Sequence, residues 1–159
     1  MAALTPAFLD TSILVAGLIE IGPASEHPQR VMAAIAEGRV RDVHTAWHCC
    51  LEFYSVATRL PPEYRLTPAD ARQLLDEEVF ARMDVHALPS QDRMSMLATA
   101  ARDGTTGGRI YDAHIAEVAR SAGARLIVTD NRRHFLSALR YGIRVEAPAE
   151  FLTTLRGKK

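Results

Sequence analysis

The sequence predicts an α/β fold with a mainly parallel sheet, and two observations carry this prediction. Extended and helical patterns alternate from end to end of the chain, which is typical of parallel strands joined by covering helices. The chain has 159 residues, 48% of them hydrophobic, which suits one domain with a full core. We therefore expect a single domain over residues 1–156, followed by a short basic end at 157–159.

The elements of the first half follow from apolar spacing and from residues that stop helices. Val31, Ala34 and Ile35 recur at helical spacing, and Pro61 stops the helix before it. In chain order we predict a strand Ala7–Leu9, a helix from Ser12, a helix His27–Glu37, a strand Val40–His44, and a helix Ala46–Leu60 with Thr45 as its cap.

The second half opens on a clear helix start. Thr67 followed by Pro68 is typical of an N-cap and a first helical position. The predicted elements are a helix Pro68–Arg82, a weak strand Asp84–Leu88, a helix Gln91–Arg102 capped by Ser90, a loop Asp103–Gly108, a helix Ile110–Ala122, a strand Arg125–Thr129, a short helix His134–Arg140, a strand Arg144–Glu146 and a helix after Pro148.

Charge and composition narrow the class of protein. Lys plus Arg and Asp plus Glu both number 19, so the formal net charge is +0, which argues against non-specific coating of nucleic acid. A local basic patch beside a local acidic site remains compatible with this sum. No apolar run approaches the length of a membrane span and no secretory leader precedes the domain, so we expect a cytoplasmic protein. The adjacent Cys49 and Cys50 predict small core residues in a reducing compartment.

Three aspartates fall where parallel sheets bind ligands, at or near the carboxyl ends of strands. Asp10 follows the first strand, Asp130 follows the most apolar strand, and Asp112 lies at the start of the helix before that strand. Each position also fits a purely local role, as an N-cap, a favourable charge at a helix start, or a turn residue. Taken singly, these aspartates therefore do not define a site.

Glu52 is harder to explain locally, because it borders the apolar stripe of its helix. A carboxylate that faces inward needs a partner or a metal ion. Four carboxylates at one end of a sheet would repel one another, and their oxygen atoms suit Mg²⁺, with Mn²⁺ as the alternative. Zn²⁺ is less expected, because the cysteines are adjacent and the six histidines lack the spacing of zinc ligands. His44 and His48 are four residues apart but are interpreted as structural or surface residues, and the others are isolated: His27, His86, His114 and His134.

Other common chemistries lack their motifs. The sequence contains no G-x-S-x-G elbow, no phosphate-binding P-loop and no dinucleotide-binding glycine motif after a strand. The hydroxyl of Ser12 has no evident base beside it, so we expect it to cap its helix or to hold Asp10.

Four segments of the chain carry the predicted acids: FLDTSIL, AWHCCLEFYSVATRL, RIYDAHIAEVAR and LIVTDNRRHF. Together they resemble the PIN-domain ribonucleases, particularly the VapC toxins of bacterial toxin–antitoxin pairs, and they occur in family order over nearly the whole chain. The resemblance implies a three-layer α/β/α sandwich around a five-stranded sheet and a homodimer inhibited by a cognate VapB-type antitoxin. It implies one or two Mg²⁺ ions held by Asp10, Glu52, Asp112 and Asp130, with Asp10 and Asp112 as the most direct ligands.

One position departs from the family pattern. The last acidic motif of the family often has its aspartate two positions after the threonine, where this chain has Asn131. Either Asp130 reaches the metal by a local shift, or Asn131 supplies a neutral oxygen to the metal and Asp130 supports the site without contacting the metal. We expect Thr11, Ser12, Thr129 and Asn131 to support the site.

The leading hypothesis is metal-dependent cleavage of RNA. An acid such as Asp112 or Glu52 would help to deprotonate the attacking water, leaving a 5′-phosphate and a 3′-hydroxyl. Three arginines lie close in sequence to the acids and are predicted to contact RNA phosphate: Arg109, Arg132 and Arg133.

Two alternatives remain open at this point. One is a catalytically weak PIN-like module that binds protein or RNA. The other is a phosphatase-like enzyme with Asp10 as nucleophile, which ranks last because Ser12 stands where such enzymes usually carry a second aspartate.

Overall fold

The computed structural model describes residues 6–157, and its centre is a five-stranded sheet in which all neighbouring strands are parallel. The spatial order is β3-β2-β1-β4-β5. This confirms the predicted α/β class. The strands are β1 (Ala7–Leu9), β2 (Val43–Ala46), β3 (Asp84–His86), β4 (Leu126–Val128) and β5 (Arg144–Glu146).

Helices connect the strands and cover the sheet. β1, β2 and β4 are buried along their whole length, which requires cover on both faces. The helices are α1 (Thr11–Leu18), α2 (Glu26–Ala36), α3 (Trp47–Ala57), α4 (Pro68–Leu74), α5 (Arg93–Arg102), α6 (Arg109–Ser121) and α7 (Pro148–Arg156).

The core is built from apolar side chains of the central strands and of the helices that pack on them. Phe8 in β1, Ile127 in β4 and Phe53 in α3 are fully buried. Their burial fixes the strands against the helices, and so it fixes the positions of the polar residues that follow β1 and β4.

The strand order places a ligand-binding position beside β1. From β1 the chain builds β2 and β3 on one side, and it then returns to place β4 on the other side. In open parallel sheets, ligands bind outside the carboxyl ends of the strands at such a reversal. Asp10 directly follows β1, and Thr129 and Asp130 follow β4, so the predicted acids lie at this point.

The largest difference from the predicted elements concerns β2. This strand lies at Val43–Ala46 instead of Val40–His44, and α3 runs from Trp47 to Ala57. Thr45, predicted to cap α3, is instead a fully buried strand residue whose hydroxyl donates a 2.8 Å hydrogen bond to the carbonyl of Leu9. A capping residue and a strand residue that donates to its neighbour look alike in sequence, because both are threonines at a strand–helix junction.

Other helix and strand boundaries differ from the predicted ones by a few residues, and the predicted N-cap Thr67 is confirmed. The hydroxyl of Thr67 accepts the backbone N–H of Asp70 at the start of α4. After α4 the predicted helix continues as a π-helical turn at Leu75–Phe80, and β3 ends earlier than predicted, at His86. Ser90 does not cap α5 but begins a 3₁₀ turn at Ser90–Asp92. Two 3₁₀ turns, Arg132–His134 and Leu136–Tyr141, stand where one short helix was predicted.

The predicted limits of the domain, 1–156, remain a prediction. Lys158 and Lys159 of the predicted basic end lie outside the described residues. Within the described range, none of the helices has the length and apolar character needed to cross a membrane.

Candidate active site

Four predicted carboxylates line one open cleft of about 390 Å³ beside the carboxyl ends of β1 and β4. Asp10 lies between β1 and α1, Glu52 on α3, Asp112 in the first turn of α6, and Asp130 just after β4. They are separated by up to 120 positions in the sequence, and the strand order brings them to one place. Of the predicted supporting residues, Thr11, Ser12 and Asn131 also line the cleft.

Asp10 is the most buried of the four acids, and two hydroxyl groups hold its carboxylate. Its exposed fraction is 4%; Ser12 Oγ donates to Oδ1 at 2.6 Å and Thr129 Oγ1 donates to Oδ2 at 2.8 Å. The same hydroxyls accept backbone N–H groups, Ser12 from Asp130 at 3.1 Å and Thr129 from Asn131 at 2.9 Å. The expectation that Ser12 holds Asp10 is therefore confirmed, and the network ties the end of β1 to the loop after β4.

Burial sets the electrostatics of Asp10. Desolvation raises the pKa of its carboxyl to about 6, although hydrogen bonds from Ser12, Thr129 and the backbone N–H of Ile13 oppose this change. Thr11 adds an unsatisfied group at the same place, because its hydroxyl is buried and forms no hydrogen bond with a described residue. A buried anion and a buried free hydroxyl in one cleft are the polar surroundings that a hydrated cation would satisfy.

The other two inward acids each face a histidine. Nδ1 of His134 lies 3.2 Å from Oδ2 of Asp112, and Nε2 of His48 lies 2.5 Å from Oε1 of Glu52 without the orientation of a hydrogen bond. Burial raises the pKa of Asp112, and Glu52 raises it further, whereas His134 and Arg109 oppose the change. The mutual effect of Asp112 and Glu52 indicates that the two carboxylates share one electrostatic environment.

Asp130 and Asn131 both line the cleft. Burial also raises the pKa of Asp130, with His27 opposing the change. The backbone of both residues is fixed by the hydroxyls of Ser12 and Thr129. The carboxylate and the amide oxygen are therefore both presented to the cleft from a constrained loop.

The donor set of the cleft fits a hard divalent cation. It consists of carboxylates, an amide and hydroxyls, which is the oxygen chemistry that Mg²⁺ and Mn²⁺ select. The acidic group could therefore bind a metal ion. Within residues 6–157, the tightest group of metal-binding side chains is a different one, Asp42, His44 and Asp84, whose ligand atoms lie within 4.8 Å of one another.

The three predicted RNA-binding arginines differ in their contacts. Arg132 donates to Glu150 at 2.6 Å, so its guanidinium is already engaged with α7. Arg109 and Arg133 form no ion pair with any described residue. Arg59, which follows α3, lines a second depression of about 510 Å³ that also includes Glu52 and Asp112. Of these arginines, Arg59, Arg109 and Arg133 thus form no ion pair with any described residue.

The prediction that the histidines are isolated was wrong. His48 and His134 contact acids of the cleft, and the ring of Tyr111 stacks on His48 with centroids 5.4 Å apart. One of these pairs had a sequence signal, because His48 and Glu52 are four residues apart on one helix and such residues are neighbours. The contact between His134 and Asp112 joins α6 to the turn after β4, so it has no local signal.

Comparison with known proteins agrees with this architecture. A family model described as a PIN domain matches residues 6–133. The chain belongs to the PIN domain family. Two curated members from Mycobacterium tuberculosis strain H37Rv are similar to it. Ribonuclease VapC40 is 33% identical over 123 residues, covering 77% of this chain and 85% of that protein. Ribonuclease VapC27 is 33% identical over 127 residues, covering 80% and 86%.

Solved structures show the same fold at lower sequence identity. PAE2754 from Pyrobaculum aerophilum superposes with a TM-score of 0.64 and 21% identity, covering 99% of this chain and 100% of that one. The DNA-bound VapBC complex from Salmonella typhimurium matches with a TM-score of 0.62 and 24% identity, covering 89% and 97%. The three-layer arrangement implied by the sequence segments is thus the fold of this chain.

Proposed function

We propose that this PIN domain is a metal-dependent endoribonuclease that acts as the toxin of a toxin–antitoxin pair. The observation that carries the proposal is the convergence of Asp10, Glu52, Asp112 and Asp130 on one open cleft at the reversal of strand order. The relatives of this chain, VapC40 and VapC27, are named ribonucleases, which supports RNA as the substrate.

Asp10 and Asp112 are the proposed primary ligands of Mg²⁺, with Mn²⁺ as the alternative, and Asp130 or Asn131 completes the set. When bound, the cation supplies a positive charge that stabilises the negative charge developing on the scissile phosphate. Ser12 and Thr129 keep the carboxylate of Asp10 in one orientation, so the ligand is preorganised before the cation arrives.

Glu52 is the proposed general base. It lies beside Asp112 and His48, and it is more exposed than Asp10, so a water molecule can reach its carboxylate. Removing a proton from the attacking water is a role for a carboxylate within hydrogen-bond reach of that water. His134 balances the charge of Asp112 on the other side of the cleft when it is protonated.

RNA binding is assigned to the rim of the cleft. The proposed phosphate contacts are Arg59, which lines the depression beside Glu52 and Asp112, and Arg109 and Arg133. Tyr111 is 55% exposed, and its ring stacks on that of His48. An exposed aromatic side chain beside a nuclease site is a stacking surface for an unpaired base. Arg132 would join this rim only by leaving Glu150.

The proposed partner is a VapB-type antitoxin, because similar folds occur in complexes such as VapBC of Salmonella typhimurium.

We also propose a homodimer. Trp47, Leu51 and Leu97 are about half exposed around an apolar cleft of about 420 Å³, and contiguous apolar surface of this kind is typical of protein contacts. The cytoplasm is the proposed compartment, in agreement with two free, buried cysteines.

The test is cleavage of RNA by purified protein with Mg²⁺. Asp10→Asn, Asp112→Asn and Glu52→Gln should each lose at least a hundredfold in rate, while the exposed Glu63→Gln should match the wild type. Equal cleavage by wild type and Asp112→Asn would reject the mechanism. RNA binding without cleavage by the wild type would instead support the alternative of a PIN-like binding module.

A further inference from the structure

The same tripeptide, Asp-Val-His, occurs at two neighbouring strands of this protein. In one copy Asp42 directly precedes β2 and Val43 and His44 begin it, and in the other Asp84–His86 forms β3. The two strands are parallel, and His44 is in register with Asp84. Because side chains alternate along a strand, His44, Asp84 and His86 lie on the same face of the sheet. The edge strand and its neighbour thus carry two imidazoles and a carboxylate on one face of the sheet, with His44 between His86 and Asp84.

Asp42 joins this group through an unusual backbone conformation. Its φ angle is +57°, which makes it the one non-glycine residue with positive φ in the described part of the chain. In this conformation Oδ1 of Asp42 lies 2.7 Å from Nε2 of His44. In the tautomer whose Nε2–H donates to this carboxylate, Nδ1 carries a lone pair on the other side of the ring.

That lone pair faces two further atoms that could bind a metal ion. Nδ1 of His44 lies 2.8 Å from Nε2 of His86 and 3.8 Å from Oδ2 of Asp84. His44 is only 6% exposed, whereas the side chain of Asp84 is 73% exposed and can turn toward the rings. A carboxylate behind a buried imidazole, with its second nitrogen aimed at other donors, is the arrangement by which proteins orient a histidine ligand.

We propose that His44, His86 and Asp84 form a binding site for a divalent transition-metal ion, best matched by Zn²⁺, and that Asp42 orients His44 from behind. Zinc–nitrogen bonds of about 2.0–2.1 Å in a tetrahedral site place two ligand nitrogens about 3.3 Å apart. The rings must therefore separate by about 0.5 Å from their present contact. His86 is the last residue of the edge strand and is partly exposed, so its ring has room for that movement.

The chemistry separates this site from the acidic cleft. Imidazole ligands select zinc and its neighbours over Mg²⁺, whereas the cleft offers oxygen donors. The new site also lies at the start of β2 and in β3, whereas the cleft lies beyond the carboxyl ends of β1 and β4. A metal ion bound there would fasten the edge strand β3 to β2, and so it would stabilise the fold without belonging to the catalytic centre.

A direct hydrogen bond between the two rings explains less of the arrangement. It satisfies one nitrogen of each ring, but it gives no role to Asp84, whose carboxylate makes no hydrogen bond with any described residue. The metal site uses both histidines and both aspartates, and it neutralises the negative charge of the pair of carboxylates.

The experiment is calorimetric titration of the full chain with ZnCl₂ in buffer containing excess Mg²⁺, which occupies the acidic cleft. We expect one Zn²⁺ per chain and a rise in melting temperature on binding. His86→Ala should weaken zinc binding at least tenfold. His114→Ala removes a histidine from α6 outside the group and should bind zinc as the wild type does.

A second readout and a second variant keep the test decisive. Co²⁺ in place of Zn²⁺ should give the visible absorption of a nitrogen-ligated ion in the wild type, and His86→Ala should lose it. If His86→Ala does not fold, Asp84→Asn carries the test, because this side chain is largely exposed and should weaken binding severalfold. Equal zinc affinity in the wild type and in the folded variants, or no zinc binding by the wild type, would overturn the proposal.

Discussion

Replacing Asp10 with asparagine should stabilise the metal-free protein, although it removes a central residue of the proposed active site. Burial raises the pKa of Asp10 from its ordinary value of 3.8 to about 6, so ionising this carboxyl costs more in the folded chain than in the unfolded chain. At about 1.4 kcal/mol per pKa unit, the cost at pH 8 is about 3 kcal/mol. Asparagine has the same shape and no charge, so it avoids this cost. Its single amide oxygen can accept from only one of the two hydroxyls, Ser12 or Thr129, that donate to Asp10, so one buried hydrogen bond worth about 1 kcal/mol is lost.

The sign of the pH dependence follows from the raised pKa. Below pH 4, Asp10 is protonated in the folded and the unfolded chain, and its contribution to stability is fully present. As the pH rises from about 4 to about 6, the folded chain holds its proton more tightly than the unfolded chain, so the free energy of unfolding of the wild type falls. The advantage of Asp10→Asn should therefore be about 2 kcal/mol at pH 8, after the loss of one hydrogen bond, and it should be absent at pH 4.

The assay is urea unfolding followed by circular dichroism, in EDTA, at several pH values between 4 and 8. Asp112 and Asp130 remain in both proteins, so the effect of burial on their pKa values cancels in the difference, and the variant removes only the repulsion between Asp10 and Asp130. Glu63→Gln removes an exposed carboxylate and should match the wild type throughout. The reasoning fails if Asp10→Asn is no more stable than the wild type at pH 8, or if its advantage is as large at pH 4.

Three further predictions follow from the same structure. Mg²⁺ should raise the melting temperature of the wild type above pH 6 and much less at pH 5, where the carboxyl of Asp10 is mostly protonated; an equal rise at both pH values would exclude Asp10 as a ligand. Gly17→Ala should destabilise the fold by about 1–2 kcal/mol in urea, despite the higher helix propensity of alanine, because a Cβ would lie 2.6 Å from Met32 Cγ and 3.0 Å from the carbonyl oxygen of Pro28; a more stable variant would contradict this. Thr45→Val should cost about 1 kcal/mol by the same measurement, because it deletes the buried hydrogen bond from β2 to β1, and an unchanged midpoint would show that this bond contributes nothing.

Most of the fold could be predicted from the sequence, because strands and helices leave periodic patterns. The prediction was least accurate around β2, where Val40 and Val43 are both buried and the apolar pattern does not mark which residues pair with β1. The sequence predicts a helix where 3₁₀ turns follow β4, because the apolar spacing of such turns differs little from helical spacing over a few residues. Boundaries of this kind depend on tertiary pairing and not on local propensity.

The acids of the cleft could be predicted for a similar reason, since each follows a strand or begins a helix at a recognisable place. What surrounds them could not. The contact between His134 and Asp112 and the ion pair between Arg132 and Glu150 join residues from separate elements, and no periodic pattern records such contacts. The paired tripeptides that place His44 beside His86 were visible in the sequence, but their meaning depends on β2 and β3 being neighbours in register.

The formal charge of +0 takes on a physical meaning once these positions are known. The acids of the cleft lie where burial makes their ionisation unfavourable. At Asp10, hydrogen bonds from Ser12 and Thr129 oppose this effect of burial. Hydroxyl donors orient a carboxylate without neutralising it, so a bound cation does not have to displace an arginine or lysine from Asp10. Arg109 and Arg133, by contrast, are unpaired among the described residues and remain available for phosphate. Cation binding and RNA binding should therefore depend on separate groups, so that Arg133→Ala weakens RNA binding while the Mg²⁺-induced rise in melting temperature stays unchanged.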